Sequence, residues 1–232
     1  MHLMNTFIRT VLIPLAATNI TTSRNMEKKT AQSMERMEEK INSVMQKTVD
    51  VVLAWITKLL SRQQKTDFRP KDDTLSGGSD WLEQLQTPTC LSIFTFLSKL
   101  HTLAISALGP SSNLTAFLTE IAINIRSLLL EHFKKFSVNA AGGIMVTKDI
   151  TKYTELLRSW EVDESFLPSL EVLAEIGHLF VIGPEALRER LRGQKGMAGS
   201  GGGLWDKSDM RAYVLKREDV GSVGVQSVLS SL

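Results

Sequence analysis

Apolar residues along this chain recur at steps of three and four, the period of a helix that buries one face. The pattern is densest from Asn113 to Ile144, where Leu114, Phe117, Leu118, Ile121, Ile125, Leu128, Leu129, His132, Phe133 and Phe136 make one stripe. Ala116, Ile123 and Leu130 make a second. The spacing predicts one long helix, apolar on two faces, that lies between neighbours and ends at the double glycine Gly142 and Gly143.

The same period places helices on either side. A helix over about 23–62 has Met34, Met37, Ile41, Met45, Val49, Val52, Ile56 and Leu59 along one face, with Ser23 as its cap and charged residues on the rest of its first half. Its methionines read as ordinary core or as an adaptable partner groove. A polar stretch over 63–81 follows, with Arg69 before Pro70 pushed out of helical geometry and Gly77 and Gly78 extending the loop. Phe68 sits among alternating charges from Lys65 to Asp73, so this loop is either solvated or pinned to the bundle by that ring and by ion pairs. Thr87 then Pro88 opens the next helix, Gly109 and Pro110 close it, and the few residues before the Asn113 helix predict an antiparallel hairpin. Further helices are expected over 144–160, from a cap at Asp163 or Ser165 to Gly183, and from Pro184. Gly193 to Gly203 reads as a flexible linker, and the final segment is amphipathic but weakened by Gly221 and Gly224.

The expected organisation is therefore long helices of a first bundle over 1–62, a polar loop over 63–87, a second helical bundle over 88–192, the linker over 193–203 and a terminal helix over 204–232 that could fray. The fold class is all-α. Composition supports it, since helix formers are plentiful and period-two stretches with hairpin turns are missing. Net charge is +2 at neutral pH, which gives no overall field for nucleic acid. Cys90 is the only cysteine, so neither an intrachain disulfide nor a cysteine zinc site can form. No uninterrupted apolar run has the length of a membrane span, and residues 7–17 imitate a secretory leader only loosely because Pro14 interrupts them. Asn19 and Asn113 head glycosylation triplets that read as chance, with Asn113 better used as a helix cap.

Catalytic and phosphate-binding motifs are missing from the sequence. One fragment, Glu175 and His178 on a helix, has the spacing that di-iron bundles use, but His101 and His132 lack the companion glutamate of a second copy, so a surface pair is the simpler reading and no cofactor is expected. Arg188, Arg190, Arg192 and Lys195 gather at the end of a short helix. They read either as a patch for anionic lipid headgroups or as cations complementing the helix dipole, with Glu185 and Glu189 diluting their charge.

Four segments carry a family resemblance: QQKTDFRPKDD at 63–73, TPTC at 87–90, NAAGGIMVTKDITKY at 139–153 and LFVIGPEAL at 179–187. In order and spacing the chain resembles the C-terminal part of the Sec-ten subunit of the exocyst, also called exocyst complex component five. The resemblance implies an elongated, rod-like stack of antiparallel helical bundles, a non-catalytic role in tethering secretory vesicles to the plasma membrane before fusion, and a cytoplasmic protein recruited peripherally to membranes. It implies other exocyst subunits as partners, with small GTPases and anionic membrane as further candidates. The loop residues Lys65, Phe68, Arg69 and Lys71 are then candidates for a partner-facing surface.

Overall fold

The structure, a computed structural model, describes residues 6–12, 20–70, 85–197 and 207–230. The chain divides into two compact units, Met1–Asp50 and Val51–Leu232.

In the first unit a π-helical turn, Ile8–Leu12, precedes the first part of α1, which runs Ile20–Leu60. On the apolar stripe expected along this part, Met37 and Ile41 are exposed, Met34 and Met45 half-buried and Val49 buried.

The second unit begins with the end of α1, where Val52, Ile56, Leu59 and Leu60 are buried, as the period predicts. After the loop come α2 (Pro88–Leu108), α3 (Ser112–Phe133), α4 (Ala140–Arg158), a 3₁₀ segment (Glu164–Leu170), α5 (Glu171–Val181) and α6 (Pro184–Met197). Thr87 caps α2 by accepting from the Cys90 N–H at 3.2 Å, with Pro88 at the first helical position. Gly109 ends it at φ 61°, a conformation that side chains disfavour, and donates to the Ile105 carbonyl at 2.9 Å. The cap of α3 is Ser111, which accepts from Leu114 N–H at 3.3 Å, so Asn113 lies inside the helix and not at its cap.

By length and apolarity α2 and α3 could each cross a bilayer, which the sequence reading did not expect. Both pack instead along one face, through Cys90, Ile93, Leu97 and Ala104 in α2 and through Leu118, Ile121, Ala122, Ile125 and Leu129 in α3. Burying each large aliphatic side chain contributes about 1.5–3 kcal/mol before entropy is subtracted. The second stripe predicted on α3 is not a packing face, since Ala116 and Ile123 are exposed and Leu130 half-buried.

The expected helix over 113–144 is two helices. It breaks after Phe133, and Asn139 starts α4 by accepting from the Gly142 N–H at 2.7 Å. Gly142 and Gly143 stand in the first turn of α4, not at the end of α3. Their role is close approach: a Cβ on Gly142 would sit 1.7 Å from the Phe68 carbonyl oxygen, and one on Gly143 3.0 Å from that of Phe180. On the facing helix α5, a Cβ on Gly177 would meet the Thr147 hydroxyl at 2.8 Å, so small residues on both sides let α4 and α5 pack tightly.

Residues 193–197, expected in a linker, continue α6. The C-terminal segment is a strap, not one helix: α7 (Lys207–Val214), a 3₁₀ turn (Glu218–Gly221) and α8 (Val223–Leu229). Met210, Tyr213, Val214, Val225, Val228 and Leu229 are buried beneath it. The Tyr213 hydroxyl donates to the Leu130 carbonyl at 2.7 Å, and an isolated parallel bridge pairs Val138 with Arg217. The described residues contain no β-strand.

Candidate functional site

The loop after α1 is pinned, as one sequence reading proposed. Phe68 is fully buried, edge-on to Phe136 with ring centroids 5.2 Å apart and tilted against Phe133 at 5.9 Å. Its carbonyl accepts from the Asn139 N–H at 3.2 Å, while the Asn139 amide donates to the Pro70 carbonyl at 2.9 Å. Arg69 donates to Glu218 of the strap at 2.5 Å. Phe68 is therefore a core residue and not a partner contact, because no accessible surface remains on it. Arg69 is partly exposed but already paired, Lys65 is exposed, and Lys71 lies outside the described residues.

A chain of hydrogen bonds runs inward from this loop. The neutral His132 ring donates from Nε2 to Gln63 Oε1 at 2.6 Å, Gln63 Nε2 donates to the Thr87 hydroxyl at 3.3 Å, and that hydroxyl donates to Asp149 Oδ2 at 2.6 Å. The Thr87 backbone N–H reaches the other carboxylate oxygen at 2.9 Å. Four segments distant in sequence are thus tied through buried polar groups, each supplied with a partner. Burial, then the nearby charge of Lys135, pushes the His132 pKa down to about 4, which leaves it neutral near pH 7. Burial pushes Asp149 up to about 6, against the lowering effect of the Thr87 bonds. The Cys90 thiol is fully buried beside them and pushed well above its usual range, so it is no nucleophile.

The Glu175 and His178 pair does not present open ligand positions. Arg190 meets both Glu175 oxygens, one from Nε at 2.6 Å and the other from Nη2, and Nη2 also donates to His178 Nδ1 at 3.1 Å. A guanidinium fills the place of a cation. Arg188 donates to Ser227 of α8 at 3.0 Å, whereas the side chains of Arg192 and Lys195 lie outside the described residues. Among the described residues no cluster of three His, Cys, Asp or Glu side chains has metal-binding geometry.

Arg217 was not singled out by its sequence context. Its side chain is only 7% exposed and donates from Nη1 to the carbonyls of Leu179 and Ile182, at 2.7 and 2.8 Å, capping the end of α5. Nε and Nη2 each meet Asp219 at 2.8 Å.

With the polar interior spent on holding the fold, the surface remains for recognition. Trp55, Val51, Leu91, Leu103 and Ile123 are exposed on α1, α2 and α3. Between α1, the turn after it and the end of α3 lies an open pocket lined by Leu60, Gln63, Lys65, Leu128, His132 and Phe136, among others.

The sequence matches the family described as exocyst complex component Sec10-like, alpha-helical bundle, over residues 1–229. It is 30% identical over 192 residues to exocyst complex component SEC10a of Arabidopsis thaliana, covering 81% of this chain and 21% of that relative. It is 30% identical over 219 residues to SEC10 of Saccharomyces cerevisiae, 94% of this chain and 23% of the relative. To exocyst complex component 5 of Homo sapiens it is 23% identical over 219 residues, 94% of this chain and 29% of the relative. The chain thus spans less than a third of the length of these relatives.

Proposed function

Because the chain belongs to the Sec10-like family of exocyst components, with an all-α helical fold, we propose that it is part of a non-catalytic exocyst subunit that tethers secretory vesicles to the plasma membrane before fusion. It corresponds to the C-terminal bundles of the longer subunit and works through contacts with sister subunits, in the cytoplasm and peripherally at membranes. The observation that carries this reading is the family match over residues 1–229. The geometry supports it in a specific way. The 63–70 loop and the glycines of the 139–153 segment, two of the stretches that carry the family resemblance, lie against each other as Phe68 on Gly142, so they serve a rigid frame and not an active site.

A patch for anionic lipid at Arg188 and Arg190 has little support, since both guanidiniums are engaged by Ser227 and by Glu175. Affinity purification of the tagged chain from cells, followed by crosslinking and mass spectrometry, tests the proposal. Recovery of other exocyst subunits with crosslinks on exposed faces of the second unit is the expected result; recovery of none would overturn it.

A further inference from the structure

The pocket between the end of α1 and the end of α3 has a volume of about 320 Å³, at the low end for ligand sites, and it is open. Its walls are apolar: Leu60, the half-buried Leu128 and Phe136, with the neutral ring of His132 edge-on to Phe136. Its rim is basic. Lys65 and Lys135 are exposed on it, and neither joins an ion pair among the described residues. Among the described lining residues the one acid, Glu131, is already neutralised by Lys134 at 2.7 Å, which also reaches Asp209 at 3.2 Å. An apolar recess framed by unpaired cations is the anatomy of an interface centre with a charged rim.

We infer that this pocket docks an acidic segment of a partner protein, one apolar side chain entering between Leu60, Leu128 and Phe136 while flanking carboxylates meet Lys65 and Lys135. Charge complementarity selects the acidic partner. A membrane surface fits less well, because lipid recognition uses apolar groups that protrude into the bilayer, and here the apolar surface is recessed. The inference rests on the tethering-subunit reading and deepens it by giving the chemistry of one partner.

The test uses the whole chain and a fluorescent peptide rich in aspartate and glutamate with one central leucine, with a serine-for-leucine peptide as control. Anisotropy should show binding of the leucine peptide that weakens with salt and falls by about tenfold when Lys65 and Lys135 are both reversed to Glu. The exposed Thr57 also lines the pocket, so Thr57→Phe should block the recess without altering charge and abolish the preference for leucine over serine. Circular dichroism of each variant checks the fold. No binding of the leucine peptide, equal binding of both peptides, or unchanged binding by the variants overturns the inference. So does binding of phosphatidylserine vesicles through the same lysines without binding of the peptide. Because these variants leave the rest of the surface intact, recovery of exocyst subunits by wild-type protein would still stand if the pocket failed, and its loss in wild type would count against the tethering reading alone.

Discussion

Asp149 and Thr87 stand 62 residues apart in sequence, yet both carboxylate oxygens of the first accept hydrogen bonds from the second, from its N–H at 2.9 Å and its hydroxyl at 2.6 Å. The helix cap of α2 is thereby fastened to the middle of α4. At the far end of the same chain of bonds stands His132, and the two titratable ends respond to pH in opposite senses.

Folding raises the Asp149 pKa from 3.8 to about 6, so between those values the native state holds a proton that the unfolded chain has lost, and stability falls as pH rises through the window. Folding lowers His132 from 6.5 to about 4, so there the unfolded chain holds the extra proton and stability rises with pH. Each contribution is worth about 3 kcal/mol, and they nearly cancel. Denaturant melts of Asp149→Asn from pH 4 to 6.5 should therefore show stability climbing with pH, whereas His132→Gln should show it declining. Parallel profiles for the two variants would refute the assignment.

Gly142→Ala would force a Cβ to 1.7 Å from a backbone oxygen that cannot move without unseating Phe68. The expected cost is about 3 kcal/mol or more by thermal or urea unfolding. Gly183→Ala, where a Cβ would meet nothing within 4 Å, is the matched control and should change stability by no more than about 0.5 kcal/mol.

Replacing Arg217 by Met removes the donors from the Leu179 and Ile182 carbonyls and leaves Asp219 without its partner. A loss of about 2–3 kcal/mol is expected. Lys at this position should recover only part of it, because an ammonium cannot reproduce the planar fork. Hydrogen exchange should locate the weakening in the strap and the end of α5.

Arg190→Ala tests whether the basic cluster serves structure or membrane. The paired side chains are 38% and 26% exposed, so the expected stability loss is about 0.5–1 kcal/mol, with sedimentation on anionic liposomes unchanged. Loss of liposome binding with unaltered stability would reverse the reading.

The repeating apolar period located α1 and α2 closely, and Thr87 with Pro88 marked a true helix start because capping is a local interaction. The break after Phe133 was hidden for a physical reason. Phe136 and Val138 are buried in the connection, so the apolar rhythm continues where the helix does not. Glycine usually punctuates helices, so in sequence Gly142 and Gly143 resemble a terminator, whereas their function depends on Phe68 and Phe180, which are distant in sequence. Asp149 did carry a signal, an acid between Val146 and Ile150 on the apolar stripe of its helix, and such a residue needs a buried partner. Lys65 was legible only through the family resemblance of its loop, whereas Arg217 and Lys135 carried no signal, because long-range packing alone brings their surroundings together.

The strap bears on the order in which the second unit can close. Its last turns insert Val225, Val228 and Leu229 into the interior, and Arg211 donates to the Leu229 carbonyl at 2.7 Å. Until residues 207–229 have docked, Phe180 lacks Tyr213 against its ring and the α5 carbonyls lack Arg217. The second unit therefore closes through contacts far apart in sequence and not helix by helix, which slows folding relative to a bundle held by neighbouring hairpins.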